Sequence, residues 1–430
     1  MVFVCLAVMM LSGHLIAFAL AVTGLVLIYT FAGGSAMAAM AVDKIYHTFD
    51  SYVFMAVPMY IFMGELILRS RLGDDLYTGM AAWLGRLPGG LVQTNVASCA
   101  MFAAISGSSA ATAATIGTVA YPQQTQRGYD SQLVLGSLSG SGTLGLLIPP
   151  SLSLLIYGGL VGESIGKLFM GGMIPGIMMA IIFMLYLGIR CSLQPHLVPP
   201  KKEEAVSWKT KLMSFRLVWP IVFLMMVILG GIYMGVMTPT EAAGVGGIAA
   251  LAIMAGKRRL SWPTLRDSLL GTARTSAMLF FVIMGAMVLS FGLTCTGMPR
   301  QLASIVLAFD VPRLVIFMMI CLMYLGLGCL MGAIEMMVMT LAIVYPVILA
   351  LGFDSVWFGV VLTMLIEEAQ ITPPVGFNLF VLHGITKRPI SEIVKGSIPY
   401  FFMLLVGVGL LYAFPQLVLW LPNTMITPMG

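Results

Sequence analysis

Residues 121–175 read YPQQTQRGYDSQLVLGSLSGSGTLGLLIPPSLSLLIYGGLVGESIGKLFMGGMIP, and residues 345–399 read YPVILALGFDSVWFGVVLTMLIEEAQITPPVGFNLFVLHGITKRPISEIVKGSIP. The second is the first again 224 positions later, with 12 of 55 positions identical and no gap. Tyr121-Pro122 recurs as Tyr345-Pro346, Asp130-Ser131 as Asp354-Ser355, Pro149-Pro150 as Pro373-Pro374, and Ile174-Pro175 as Ile398-Pro399. Both proline pairs fall in the middle of long apolar stretches, where a helix loses a hydrogen bond and meets a ring clash. Paired breaks in apolar segments are the sequence signature of a binding site at the membrane midplane.

Composition agrees with a chain immersed in lipid. Hydrophobic residues make up 60% and charged residues 9%, with a mean hydropathy of +1.01, against roughly 25% charged in a soluble domain. The apolar stretch 2–31 has neither a basic leader nor a small-residue cleavage site and reads as membrane helix. Six cysteines (Cys5, Cys99, Cys191, Cys295, Cys321, Cys329) lie in apolar runs without a CxxC pair or adjacent histidine, which argues against disulfides and zinc.

A crossing needs about 20 apolar residues. Segments 52–68, 131–160, 170–189, 217–238, 273–295, 356–385 and 397–421 meet that length. Residues 91–123 do not, because Ser106-Gly107-Ser108-Ser109 divides them into arms too short to cross. They predict a re-entrant hairpin, and 315–347, interrupted around Gly326 to Gly332, predicts its partner. Such backbone is tolerated only when buried in protein or lining a cavity.

The basic residues support this layout. With crossings at 1–12, 15–31 and 52–68 and the N-terminus outside, 18 of 22 Lys and Arg fall in loops on one side, read as cytoplasmic. Lys44, Lys167, Arg300 and Arg313 fall on the other. The second hairpin then enters from the outer side, so the halves are inverted. The first repeat is 1–195, with hairpin 91–123 and broken helix 131–160; the second is 217–430, with hairpin 315–347 and broken helix 356–385. Between them, 196–216 reads as a cytoplasmic linker whose charge suits anionic lipid, and nothing implies nucleic acid.

Pro149 and Pro150 free the carbonyls of Gly145 and Leu146, and Pro373 and Pro374 those of Ala369 and Gln370. Oxygen ligation of an alkali cation is one way to satisfy them; a plain kink backed by Ser or Thr is the other. The tip Ser106 to Ser109 combines hydroxyls, a flexible glycine and a helix N-terminus, although small residues also serve close helix packing. Among the membrane acids, Glu335, Glu367 and Glu368 sit beside the second tip or break, while Glu65 and Glu241 read as helix-end residues.

Four motifs together carry a family resemblance: GSSAATAATIG at 107–117, Ile148-Pro149-Pro150-Ser151, TPTEAA at 238–243, and TPPVGFNL at 372–379. The chain resembles the large membrane subunit of the tripartite ATP-independent periplasmic (TRAP) transporters, of the dicarboxylate and sialic acid type, along essentially its whole length. The resemblance implies an all-α polytopic membrane protein with two inverted repeats, each carrying a re-entrant hairpin and a discontinuous helix, working by an elevator mechanism. It implies no cofactor and no enzymatic activity, and Na+ as coupling ion. The partners it implies are a small four-helix membrane subunit and a soluble periplasmic substrate-binding protein, and the location it implies for this chain is the bacterial inner membrane. One sodium site would use Ser106, Ser108, Gly145, Ile148 and Pro150; the other, Gly332, Glu335, Thr372 and Gly376. Substrate would meet Ser108, Ser109, Ser153, Gln370 and Asn378. Where relatives carry an acid nearer the second tip, this chain has Gly332 with Glu335 about a turn later, and His14 replaces a nearby proline.

Two other classes stay open from the residues alone. A pseudo-symmetric channel shares the repeat, and an intramembrane serine hydrolase would use Ser108, though His14, His47, His196 and His383 stand in no motif with it. Which organic acid is carried is not written in the sequence.

Overall fold

The computed structural model describes residues 16–31, 33, 35–200, 207–299, 301, 302, 304, 311–329 and 331–425. The expected crossing at 1–12, His14, Lys201, Lys202 and Arg300 lie outside these residues.

All regular structure among the described residues is helical. Helices α1 (Ile16–Phe31), α2 (Ser35–Phe49), α3 (Ala56–Arg69) and α4 (Leu72–Leu84) precede the first hairpin, α5 (Leu91–Ser106) and α6 (Ser109–Gln126). The first discontinuous helix is α7 (Ser131–Thr143) and α8 (Leu152–Val161), followed by α9 (Ile165–Leu193). Then come α10 (Trp208–Tyr233), α11 (Pro239–Gly256) and α12 (Trp262–Thr296). The second hairpin is α13 (Arg313–Gly328) and α14 (Ala333–Ala350), and the second discontinuous helix α15 (Ser355–Gln370) and α16 (Phe377–Thr386). Helices α17 (Ile390–Ala413) and α18 (Gln416–Asn423) close the chain.

The repeat is visible in its hydrogen bonds. Tyr121 Oη lies 3.1 Å from Ser131 Oγ, and Tyr345 Oη lies 3.1 Å from Ser355 Oγ. Asp130 caps α7 by accepting the Leu133 amide at 2.8 Å, as Asp354 caps α15 by accepting that of Trp357 at 3.0 Å. Contacts between the repeats fix their relative direction. Arg388 Nε, just past α16, donates to Tyr121 Oη at 2.7 Å, and Tyr157 Oη, in α8, donates to the Ser355 carbonyl at 2.8 Å. Each broken helix thus ends where the other begins, and the two run antiparallel.

Seven helices among the described residues are long and apolar enough to span a membrane. Two of them are absent from the spans expected above: α14, expected as a short arm of the second hairpin but long and apolar enough to span, and α11. Its sequence is so rich in Ala and Gly that a hydropathy reading passes it over, although placing Arg216 and Lys257 on one side already required a second crossing between them. The expected linker 196–216 is also too long, since α10 begins at Trp208. The 397–421 segment is two helices, parted at Phe414 and Pro415. At the second tip, α13 continues through Gly326 to Gly328. Glycine inside a helix costs only about 1 kcal/mol, and Gly328 lets Ala369 pack directly on the backbone.

Small residues set the crossings, as membrane packing without a hydrophobic driving force requires. Helices α1 and α12 meet where Gly24 lies on the Val288 backbone and Gly285 on the Ala17 carbonyl. The two halves meet where Gly136 of α7 touches Gly396 of α17 backbone to backbone. Helices α1, α3, α10, α11 and α12 form an outer group, while hairpins and broken helices interlock inside.

Candidate functional site

Helix α5 stops at Ser106 because Gly107 turns left-handed (φ +57°), a conformation that glycine adopts without a Cβ penalty. Ser108 then caps α6, its hydroxyl accepting the Ala111 amide at 3.4 Å. Within this turn Ser106 Oγ lies 2.8 Å from Thr112 Oγ1 and 3.3 Å from the Ser108 carbonyl, which accepts the Thr112 hydroxyl at 2.8 Å. The first break lies against this turn. A Cβ on Gly145 would stand 2.6 Å from the Ser108 carbonyl oxygen and 2.8 Å from Thr112 Oγ1, and one on Gly107 2.9 Å from the Pro150 carbonyl oxygen.

Ser106, Ser108, Gly145 and Pro150 are therefore brought together as a patch of oxygens, with Thr112 among them. Ile148 packs its side chain against Gly176 on α9. Two details depart from expectation. Ser108 presents its carbonyl, because its hydroxyl is engaged as the α6 cap. The Leu146 carbonyl is satisfied by the Ser151 hydroxyl and that of Ala369 by the Thr372 amide at 3.3 Å. Of the four carbonyls, only those of Gly145 and Gln370 accept no hydrogen bond among the described residues.

The second site is looser. Its tip and break join where the Val375 amide donates to the Cys329 carbonyl at 3.3 Å, with Gly376 closing back on Thr372 at 3.0 Å. Gly332 begins α14 in an extended conformation, and the Glu335 carboxylate folds back over it. Thr372 spends its hydroxyl on the Glu368 carbonyl at 2.6 Å. Pro373, Pro374 and Val375 are exposed, whereas residues 144–150 of the first break are all buried.

Asn378, at the start of α16, ties the halves together. Its Oδ1 accepts Ser109 Oγ at 2.8 Å and its Nδ2 donates to the Ser139 carbonyl at 3.4 Å. Ser139 and Ser153 carry buried hydroxyls without partners, and Gln370 is buried at the end of α15. The N-termini of α6, α8 and α16 bring positive partial charge to this region, suited to an anion.

Residues 3–417 match the family described as Tripartite ATP-independent periplasmic transporter, DctM component. The chain belongs to the DctM family. It is similar to the C4-dicarboxylate TRAP transporter large permease protein DctM of Pseudomonas aeruginosa, 32% identical with 88% of each chain covered. It is also similar to the isethionate TRAP transporter permease protein DctMQ of Oleidesulfovibrio alaskensis, 33% identical over 83% of this chain and 56% of that longer one. The fold is shared with the crystal structure of the YdaH transporter of Alcanivorax borkumensis, at a TM-score of 0.63 and 15% identity, covering 94% and 98% of the two chains.

As a DctM-family chain it is a transporter permease subunit and not an enzyme. The geometry around Ser108 agrees: its hydroxyl faces a helix amide, and the His383 ring Nδ1 is 2.6 Å from the Arg388 carbonyl, beyond the far end of α16. Glu65 pairs with Arg69 at 3.1 Å, and Glu241 closes a capping box on Thr238, both structural as expected.

Sequence reasoning passed over two features of this DctM-family structure. One is Thr112, four residues after Ser108, whose spacing returns its hydroxyl to the tip. The other is a buried network holding the first hairpin. Gln124 Nε2 donates to Tyr77 Oη at 2.7 Å and to Asn95 Oδ1 at 2.5 Å, and Asn95 Nδ2 donates to Ser137 Oγ at 2.8 Å. An Asn and a Gln inside apolar helices were the available signal.

Proposed function

We propose that this DctM-family subunit imports an organic anion against its gradient by coupling to sodium, in the bacterial inner membrane. A periplasmic binding protein delivers the anion and a small four-helix membrane subunit braces the outer helices. The observation that carries this reading is the oxygen patch of Ser106, the Ser108 carbonyl, Thr112, Gly145 and Pro150. Hydroxyls and carbonyls with no acid among them suit a monovalent alkali ion held by neutral oxygens, as in transporters with discontinuous helices. Names of relatives support the anion class and diversity, since one is a C4-dicarboxylate and another an isethionate permease. Sialic acid belongs to the same chemical range. A bound cation would draw tip and break together and organise Ser109, Ser153, Gln370 and Asn378 for the substrate, while the α6 and α16 N-termini offset its negative charge.

In this reading hairpins and broken helices move as one body against the outer group, in elevator fashion. The test is uptake into proteoliposomes holding both membrane subunits, with purified binding protein outside and an imposed inward sodium gradient. Uptake that ignores sodium, or that proceeds with this chain alone, would overturn the reading. Motion is tested separately by cross-linking. A bridge between Gly117→Cys of α6 and Leu382→Cys of α16, packed face to face inside the body, should leave transport intact. One between Ala286→Cys of α12 and Leu341→Cys of α14, facing a cavity of about 560 Å³ between the groups, should arrest it.

A further inference from the structure

The cavity of about 560 Å³ between α12 and α14 has a closed end and an open one. At the closed end Ala286, Val338 and Leu341 are 2%, 4% and 5% exposed. At the other, Thr294 is exposed and Tyr345 and Pro346 are half-buried, beside Leu160 and Val161 at the end of α8. With the second hairpin entered from the outer side, the open end lies toward the outer surface. The lining follows α12 from Ala286 to Gly297, about 16 Å at 1.5 Å per residue. One leaflet's half of a hydrocarbon core measures about 15 Å, so the slot is as deep as a leaflet.

Neither emptiness nor water suits these walls. An apolar void of this size leaves its lining without dispersion partners, and an ordered water needs about two to four polar ones. The described lining residues offer three side-chain hydroxyls, and two are engaged within the protein: Thr294 donates to the Ser290 carbonyl at 2.8 Å, and Tyr345 Oη lies 3.1 Å from Ser355 Oγ. None of the described lining residues is charged, so an organic anion or a metal ion finds no counter-charge among them. What fits is long, apolar and held by shape, in a pocket of the size that ligands occupy.

We propose that this slot binds one acyl chain of a phospholipid of the outer leaflet, the chain end lying against Ala286 and Val338 and the ester end at Thr294 and Pro346. The headgroup stays at the membrane surface. A lipid along the exposed face of α13, at Met318 and Leu322, touches one helix only, whereas the slot walls its chain with α8, α12 and α14.

The site goes beyond the transport reading and does not rest on it, so its test needs no transport. The full-length chain is placed in nanodiscs containing increasing amounts of a phosphatidylcholine with a diazirine at the end of one acyl chain, illuminated, and mapped by mass spectrometry. Label at Ala286 and Val338 should saturate at low probe content, while label at Met318 and Leu322 rises in proportion to it. A diazirine beside the ester should move the slot label to Thr294 and Pro346. Ala286→Phe fills the closed end and should weaken slot labelling roughly tenfold, the low end of what overpacking costs a bound state, with Leu322 unchanged. Ala342→Phe fills the slot from the facing wall and should do the same, so either variant suffices if the other misfolds. Label confined to the exposed faces, slot label that never saturates, or slot label unaltered by the phenylalanines would overturn the proposal. So would preferential labelling of Ala286 and Val338 by a water-soluble diazirine, which would make the slot an aqueous vestibule.

Discussion

Gly145→Ala adds one methyl where the first break touches the first tip. In the native backbone that carbon would lie 2.6 Å from the Ser108 carbonyl oxygen, 2.7 Å from the Ser108 carbonyl carbon and 2.8 Å from Thr112 Oγ1. All three are closer than carbon and oxygen sit in real contacts, and two of the atoms are backbone, so the tip must withdraw. Overpacking of this kind costs about 1–3 kcal/mol. Falling wholly on the ion-bound state, it would raise the half-saturating sodium concentration by roughly 5- to 150-fold. The assay is sodium-dependent uptake by purified Gly145→Ala with both partner proteins, beside its 22Na+ binding isotherm. Gly136→Ala is the control, since its methyl would strike the Gly396 backbone away from the oxygens. That variant should lower folded yield and thermal midpoint while surviving protein keeps its sodium affinity. Normal folding and unshifted sodium dependence in Gly145→Ala would refute the idea that tip and break form one ion cage.

Thr112→Val removes a hydroxyl bonded to Ser106 and the Ser108 carbonyl; it should weaken sodium about 5- to 10-fold, or about 1–1.4 kcal/mol, with Thr112→Ser close to wild type, and equal isotherms for Val and Ser would remove Thr112 from the site. Gln124→Leu leaves Tyr77 Oη and Asn95 Oδ1 without partners inside the first hairpin, so thermal unfolding should report a loss of about 2–4 kcal/mol; an unchanged midpoint would contradict a structural role. Asp75 bonds Lys257 at 2.5 Å and Arg259 at 2.9 Å, joining α4 to the end of α11. Burial opposes its ionisation, but hydrogen bonds from Arg259 and Lys257 and their charges outweigh it and hold the carboxyl below the ordinary range. The depressed folded-state value means that its contribution is present above the unfolded value near pH 4 and fades as pH falls through the folded one. Asp75→Asn should therefore cost about 1–2 kcal/mol at neutral pH and flatten the acid limb of the stability curve, and a parallel curve would exclude the pair from that role.

The inner elements were legible because proline and glycine chemistry is local. Pro149-Pro150 and Ser106-Gly107-Ser108 declare a break and a tip wherever they stand, and the repeat doubles the signal. The outer group was less legible. Helix α11 hides its crossing in Ala and Gly, whose apolarity is slight although their packing is close. Partners were least legible of all. That Ser151 answers Leu146, that Thr372 answers Ala369, or that Ser108 spends its hydroxyl on a cap follows from the dihedral path of each turn, which residue types alone do not set. Glu335 shows the same limit: placed near the second tip by sequence, it folds onto Gly332 of its own helix.

The interlocking of the halves bears on how such a site can open. Asn378 of the second broken helix holds Ser109 of the first tip and the Ser139 carbonyl of the first broken helix. Tyr121 with Arg388 and Tyr157 with Ser355 pin the ends of the same elements. Separating one repeat from the other would break these contacts at once and leave buried amide, hydroxyl and carbonyl groups unpaired, at several kcal/mol in a dry interior. Moving all four elements together keeps every one of them. It disturbs the boundary with the remaining helices, part of which, between α12 and α14, holds a cavity lined chiefly by Leu, Val, Ala and Met, with Ser290 and Thr294 among its few polar groups. The cheaper motion is therefore of the whole inner body, which is the motion the proposed elevator reading requires.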